Sequence, residues 1–137
     1  MLEQITKSQL GEVGALGEDI ATDYLLKLGY RLVGRNVVAG GYEIDIIVED
    51  LRHIVFVEVK TRTVPKSYGS SRYGPASAAV DREKKRHINT AATAFLKEHK
   101  YRKIPRNDIV EVYLDKTKTG YSVNKINHYP NSFGKVR

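Results

Sequence analysis

Two strands and a short turn lie within one stretch of the chain, YEIDIIVEDLRHIVFVEVKTR, residues 42–62. Ile and Val dominate residues 42–49 and residues 53–61, and a mostly charged turn separates the two runs. Strands this dense in β-branched residues are typical of the centre of a sheet, where both faces are covered. We therefore predict a β-hairpin at the centre of the fold.

The remaining elements extend from this hairpin in both directions. The apolar pattern predicts a helix over 9–28, a strand over 30–38, a helix over 81–100, and strands over 107–114 and 121–128. This order indicates an α/β fold in which helices flank a central mixed sheet. A length of 137 residues fits one domain.

Two segments lie outside these elements. Residues 1–8 are predicted to form an N-terminal tail. Residues 62–79 contain two prolines, two glycines, four serines and several basic residues, and this composition predicts a long, basic, flexible loop.

The first helix carries an apolar stripe and several glycines. Helical spacing predicts buried side chains at Val13, Leu16, Ile20, Tyr24 and Leu28. Ser8 is placed to cap the start of this helix, and Gly29 is placed to follow its end. Gly17 lies on the stripe, which indicates close packing against another element at that point.

The charge of the chain is strongly asymmetric. Residues 1–57 carry 5 Lys or Arg and 9 Asp or Glu, whereas residues 58–137 carry 18 and 7. A basic half of this size is typical of proteins with a polyanionic ligand, nucleic acid first, although solubility alone also explains it.

Several classes of function are excluded or disfavoured by composition. The chain has no cysteine, which excludes disulfides and thiolate catalysis, and none of its four histidines form a pair with metal-binding spacing. The glycines of the first helix do not follow a strand, so they do not form a dinucleotide-binding loop. The longest apolar run has four residues and the N-terminus lacks signal-peptide features, so we expect a cytoplasmic protein without a membrane segment.

Acidic residues interrupt the first strand of the hairpin. Alternation along that strand predicts one face with Glu43 and Asp45 and an opposite face with Ile44, Ile46 and Val48. Burial of an ionised group without a partner costs roughly several kcal/mol of folding free energy. These carboxylates therefore need compensation from a positively charged partner or a bound cation.

The second strand of the hairpin supplies two candidates for that compensation. Glu58 and Lys60 share a face of the strand, and the short turn brings them toward Asp45. Asp45 and Glu58 are then placed to hold Mg²⁺ or Mn²⁺, with the Val59 carbonyl as a further ligand. Lys60 is placed to orient a water or to stabilise charge on a phosphate. The alternative is a structural ion pair at the end of two strands.

Motifs along most of the chain carry a resemblance to a known family. They are Gly17-Glu18, Ala21, Tyr24-Leu25, Gly29-Tyr30, Arg35-Asn36, Glu43-Ile44-Asp45, Phe56-Val57-Glu58-Val59-Lys60-Thr61-Arg62, Lys84, Pro130-Asn131 and Phe133. Through them the chain resembles the YraN family of predicted endonucleases, in the PD-(D/E)xK restriction-endonuclease-like superfamily related to archaeal Holliday junction resolvases. Two places depart from the family pattern: Tyr42 stands where the family usually has Gly, and residues 37–39 lack the basic residue often found there.

The resemblance implies a fold and a set of roles. The fold is the restriction-endonuclease-like αβββαβ core. Asp45 and Glu58 are implied to be the metal carboxylates and Lys60 the catalytic lysine. Glu18 takes the position of a helix glutamate near the active site of resolvase-like members, and its alternative is a solvated helix residue.

Basic residues outside the hairpin are candidates for contact with nucleic acid. Lys84 lies at the start of the second helix, in line with its apolar face, and is expected to reach the scissile phosphate or to lie at the edge of the core. The candidates for the DNA backbone are Arg62, Lys66, Arg72, Lys85 and Arg86. For the loop residues among them, a solvated loop is an equally good explanation.

Three functions are consistent with these features. The first is a metal-dependent nuclease that hydrolyses DNA, including branched or damaged DNA. The second is a catalytically weak or inactive nucleic-acid-binding module on the same fold. The third is a protein-interaction subunit with a structural ion cluster. A homodimer is expected by analogy, because a DNA junction has two-fold symmetry.

Overall fold

The computed structural model describes residues 7–64 and residues 82–134. The elements are α1 (Lys7–Lys27), β1 (Arg31–Ala39), β2 (Tyr42–Glu49), β3 (His53–Val64), α2 (Arg82–His99), β4 (Ile104–Lys116) and β5 (Tyr121–Tyr129). The predicted order of helices and strands is confirmed, and most boundaries agree to within three residues.

The five strands form one mixed sheet in the order β1-β2-β3-β4-β5. Strands β3 and β4 are parallel, and the other neighbours are antiparallel. Parallel neighbours need a crossover rather than a hairpin, and α2 lies within the crossover from β3 to β4. The predicted α/β class with a central mixed sheet is confirmed.

One helix covers each face of the sheet. On the first face, α1 packs on a fully or nearly buried cluster formed by Val13, Ala21, Leu25, Ile46, Val48, Val55, Val57, Val110, Val112 and Leu114. On the second face, α2 packs on a cluster formed by Ala39, Ile44, Ile47, Ile54, Phe56, Ala91, Ala92 and Phe95. The β2–β3 hairpin contributes to both clusters, which explains its high content of Ile and Val.

Three local predictions about boundaries and burial were wrong. Ser8 lies inside α1 (Lys7–Lys27), so it is not the N-cap; residues 7 and 8 of the predicted tail are helical, and residues 1–6 lie outside the described residues. Residues 62–64 belong to β3 and not to a loop, because β4 extends far enough to pair with them. Leu28 is 55% exposed, because the chain leaves the helix after Lys27 and Leu25 takes the buried position.

Other local predictions hold or lie outside the described residues. Gly29 ends α1 with φ of 103°, a left-handed conformation that glycine adopts at little cost. Most of the predicted loop, residues 65–79, lies outside the described residues. In the part of the chain that the structure describes, neither helix combines the length and apolar content needed to cross a membrane.

Candidate active site

Asp45 lies where β2 departs from regular alternation. The predicted common face for Ile44, Ile46 and Val48 is wrong: Ile44 packs on the α2 side, whereas Ile46 and Val48 pack on the α1 side. The two sides exchange across Asp45, so its side chain does not follow the simple period-2 pattern.

The neighbouring strand changes face at the same level. Arg35 pairs with Ile46, and Val37 pairs with Ile44, so Asn36 and Asp45 lie between the two pairs. Asn36 has φ of 49°, a left-handed conformation that asparagine tolerates better than most residues. This local irregularity in β1 accompanies the change of face at Asp45.

The Asp45 carboxylate bridges the end of the β2–β3 ladder. The paired register of these strands runs from Glu49 with Ile54 to Ile46 with Val57. Beyond it, Oδ2 of Asp45 accepts a hydrogen bond from the backbone N–H of Val59 at 2.8 Å. The carboxylate is therefore held between the two strands, next to Glu58.

Asp45 and Glu58 form a crowded pair of acids. Glu58 is only 5% exposed, and the two carboxyl groups are within hydrogen-bonding reach of each other. Burial, followed by the charge of Glu58, raises the pKa of Asp45 to about 7, against the opposing effects of the Val59 N–H and the Lys84 charge. At neutral pH the pair thus holds a proton for part of the time.

Two lysines approach the same oxygen of Glu58. Lys60 Nζ lies 3.6 Å from Oε2 of Glu58, and Lys84 Nζ lies 3.7 Å from it. Lys60 comes from the same strand, as alternation predicted, whereas Lys84 comes from the first turn of α2. The structure therefore brings together Asp45, Glu58, Lys60 and Lys84 from three elements.

Glu18 reaches this region because α1 lies very close to β3. A Cβ on Gly17 would lie 1.9 Å from Oγ1 of Thr61, so only glycine permits the observed approach. The close packing predicted for Gly17 is confirmed, and its partner is β3.

Hydrogen bonds then fix Glu18 in place. The Asn36 side-chain amide donates to Oε1 of Glu18 at 3.0 Å and to Oε2 of Glu43 at 3.1 Å. Burial raises the pKa of Glu18, with a further contribution from the charge of Asp45, whereas Asn36 and Arg35 act in the opposite direction. Glu18 is thus electrostatically connected to Asp45 rather than a fully solvated helix residue.

The predicted DNA-contacting residues are distributed unevenly. Arg62 lies on β3, with Nε 3.5 Å from Oε2 of Glu111. Lys85 lies over the Phe133 ring at 5.7 Å from its centroid, and Arg86 is exposed on α2. Lys66 and Arg72 lie outside the described residues.

Sequence reasoning missed Glu111. This residue is fully buried on β4, where it pairs with Lys60, and its Oε1 accepts a hydrogen bond from the Asn127 amide at 3.0 Å. Burial and a hydrogen bond to Glu111 raise the pKa of Tyr113 to about 12. The available signal was a lone glutamate in the apolar run IVEVYL, the same type of signal that identified Glu58.

The donor set fits a hard cation in part. Asp45 and Glu58 offer adjacent carboxylate oxygens of the type that Mg²⁺ and Mn²⁺ prefer, and Mg²⁺ usually takes one or two carboxylates together with water and phosphate. Within residues 7–64 and 82–134, no three His, Asp or Glu side chains are grouped as a complete set of metal ligands. The remaining ligands would therefore come from backbone, water and substrate.

These features define an α/β protein with a cluster of acids and lysines just beyond the paired end of the β2–β3 hairpin. A family model described as Uncharacterised protein family UPF0102 matches residues 17–112, and the chain belongs to this family. The resemblance to the YraN family is thereby confirmed.

Named relatives agree with this assignment over nearly their full length. A UPF0102 protein of Caldanaerobacter subterraneus subsp. tengcongensis is 40% identical over 122 residues, which cover 88% of this chain and 93% of the relative. A UPF0102 protein of Geobacter metallireducens is 38% identical, with coverage of 88% and 91%. A third, from Caldicellulosiruptor bescii, is 38% identical over 128 residues, with coverage of 90% and 98%.

Proposed function

We propose that the protein is a metal-dependent nuclease that hydrolyses phosphodiester bonds in DNA. The observation that carries this proposal is the crowding of Asp45 and Glu58 beside two lysines. Both lysines lie within 3.7 Å of Glu58, whereas Asp45, in contact with Glu58, keeps a raised pKa in spite of the Lys84 charge. A divalent cation relieves the repulsion between the two acids and supplies a positive charge for a phosphate.

Each residue of the site has a separate role in the proposed reaction. Bound Mg²⁺ or Mn²⁺ would be held by Asp45 and Glu58, with the Val59 carbonyl as an additional ligand, and would lower the pKa of a coordinated water. Lys60, held near Glu58, would orient the attacking water or stabilise negative charge on the phosphoryl oxygens. Lys84 would contact the scissile phosphate from the start of α2.

DNA is the favoured substrate class because of the distribution of charge. Residues 58–137 carry a net charge of +11, the difference between 18 basic and 7 acidic residues. Phosphate contacts from such a surface release counterions, so DNA affinity should fall steeply as salt rises. An affinity that stays flat between low and moderate salt would contradict nucleic acid as the ligand.

The decisive experiment is a cleavage panel. Linear duplex, single strand, flap and four-way junction are incubated with the protein in Mg²⁺, Mn²⁺ or EDTA, with D45N as the matched inactive variant. We expect metal-dependent cleavage of at least one substrate by the wild type and none by D45N. Cleavage that persists in D45N at the wild-type rate would indicate a contaminant and contradict the assignment.

A second candidate, a DNA-binding module with little catalysis, is favoured by one observation. The described residues contain only a pair of carboxylates, and not a complete metal-ligand set, at the proposed centre. Salt-dependent binding of the panel substrates without cleavage in either metal would support this module over the nuclease.

A further inference from the structure

A ring pair lies beside the candidate site, on the surface that joins the β1–β2 hairpin to α2. The rings of Tyr42 and His87 are parallel to within 10°, with centroids 4.0 Å apart. Tyr42 immediately precedes Glu43, which shares the Asn36 amide with Glu18. His87 follows Lys84 by one turn of α2. Both rings are therefore connected through the chain to residues of the site.

The ring pair is accessible to a ligand. Tyr42 is 38% exposed, and the His87 side chain is 34% exposed. Stacking covers one face of each ring, so the exposed area is on the remaining face and edges. An exposed aromatic face is a surface on which a planar ligand stacks.

Other contacts already hold the hairpin against α2. Ala39 and Ile44 are buried in the cluster that includes Ala91 and Phe95. A Cβ on Gly40 would lie 3.1 Å from the carbonyl oxygen of Thr90, so the backbones of the hairpin and the helix are in close contact. The half-exposed ring pair is therefore not needed as the anchor between these elements.

Charges of both signs surround the ring pair: Glu83 lies 3.8 Å from Nε2 of His87, whereas basic residues in the first turns of α2 supply positive charge for a phosphate. Lys84 Nζ lies 3.7 Å from Oε2 of Glu58, and Arg86, two residues further along α2, is exposed. Tyr42 precedes Asp45 by three residues of β2, about 10 Å at the rise of a strand, which is within reach of a nucleotide next to a phosphate held at the site. Aromatic side chains next to basic residues are the usual means of binding unpaired bases without sequence preference.

We propose that Tyr42, supported by His87, is a stacking platform for an unpaired nucleobase next to the phosphate at the Asp45–Glu58 site. This inference rests on the proposed function and narrows its substrate class. Bases in a continuous duplex stack on one another and are not available to a side chain. The preferred substrates are therefore DNAs with single-stranded or splayed nucleotides, such as flaps and gaps.

The test compares two DNAs that differ only in an unpaired nucleotide. Binding is measured by fluorescence anisotropy in EDTA, with a blunt duplex and with the same duplex that carries a short single-stranded flap. The flap contains 2-aminopurine at successive positions, because its fluorescence reports stacking. The variants are Y42F, Y42L and Y42A, with V38A as a matched control on an exposed residue of the same hairpin.

The proposal predicts a distinct pattern across these proteins. Y42A and Y42L bind the flap about tenfold more weakly than the wild type and bind the blunt duplex equally well, whereas Y42F and V38A match the wild type on both. At one flap position, 2-aminopurine fluorescence changes on binding to the wild type and Y42F but not to Y42L. Y42L keeps apolar bulk at the hairpin, so it separates stacking from loss of fold.

Failure of this inference is distinguishable from failure of the proposed function. Flap affinity unchanged in Y42A and Y42L, or reduced equally on both DNAs, would overturn the platform while metal-dependent cleavage by the wild type stood. Ring-dependent flap binding without cleavage in Mg²⁺ or Mn²⁺ would support the platform and refute the nuclease. A wild type that binds neither DNA would overturn both.

Discussion

Replacement of Asp45 by Asn tests the crowded acid pair directly. Asparagine has the shape of aspartate, and its side-chain oxygen can still accept the hydrogen bond from the Val59 N–H. Its amide can donate to Glu58, so the contact between residues 45 and 58 changes from repulsion to a hydrogen bond. The substitution therefore removes charge with little change in packing.

The expected magnitude follows from the pKa of Asp45. A rise from 3.8 to about 7 corresponds to a cost of about 4 kcal/mol for the ionised carboxylate in the fold, taken at pH 8. The native protein binds this proton more tightly than the unfolded chain does. The contribution of Asp45 to the free energy of unfolding is therefore greatest at low pH and falls as pH rises from about 4 through about 7.

D45N should remove this pH dependence. We expect the metal-free variant to be more stable than the wild type at pH 8 by about 2 kcal/mol. This is about half of the 4 kcal/mol cost of the ionised carboxylate, because an amide is a weaker acceptor than a carboxylate and part of the gain is lost at the Val59 N–H. For a chain of this length that is a rise in Tm of about 7 °C. The difference should shrink toward pH 4, where the wild-type Asp45 is protonated.

The assay is thermal and urea unfolding in EDTA at several pH values, repeated with Mn²⁺, together with calorimetric titration of Mn²⁺. The wild type should gain stability from Mn²⁺ at pH 8 and D45N should not, because the variant lacks one carboxylate ligand. A D45N protein that is less stable than the wild type at pH 8 in EDTA would refute the crowding. Unchanged Mn²⁺ binding in D45N would refute the shared metal site.

Three further predictions address catalysis, packing and the buried glutamate. K60A and K60R should cleave about 10²- to 10³-fold more slowly than the wild type in single-turnover assays with little change in DNA affinity, and wild-type rates in both would make Lys60 a structural partner. Gly17→Ala should lower the free energy of unfolding by about 1–3 kcal/mol because its Cβ would overlap Thr61, whereas Gly14→Ala, with open space at its Cβ, should raise it by up to about 1 kcal/mol. E111L removes the buried carboxylate that lies 3.5 Å from Arg62 and so raises the local positive charge; DNA affinity at low salt should increase, and an affinity equal to that of the wild type would contradict a DNA contact by Arg62.

Much of the fold was predictable from local patterns. Runs of Ile and Val marked the central hairpin, and the second helix was marked by apolar residues at helical spacing. The end of β3 was not predictable in this way, because residues 62–64 become a strand through pairing with β4, 51 residues further along the chain. Pairing of this kind is a property of the sheet and not of the segment.

The site was predictable to the extent that burial conflicts with charge. Asp45, Glu58 and Lys60 were identified because they interrupt apolar strands. The direction of the Asp45 side chain was mispredicted, since regular alternation was assumed across a position where both β1 and β2 change face. Glu111 carried the same signal as Glu58, but its place beside Lys60 depends on the parallel register of β3 with β4.

A second buried carboxylate in the same protein helps to separate a functional site from a structural ion cluster. Asp108 is 1% exposed, yet its pKa lies below the usual value: burial would raise it, but hydrogen bonds from His128, Arg106 and the Asn131 N–H outweigh that effect. His128 Nε2 lies 2.7 Å and Arg106 Nη2 2.8 Å from Oδ2 of Asp108. Such an arrangement stabilises the ionised acid with the protein's own donors.

The environment of Asp45 shifts its pKa in the opposite direction. Its one backbone donor and the nearby Lys84 do not offset burial and the charge of Glu58, so the pKa rises to about 7. The backbone irregularity at Asn36 and the close approach at Gly17 both bring further acid, Glu18, toward this point. A carboxylate kept for stability alone would be surrounded by enough hydrogen-bond donors to hold it ionised, as Asp108 is. An acid whose pKa stays raised although a lysine and a backbone donor lie close to it is the arrangement expected where a cation is to be supplied from outside the chain.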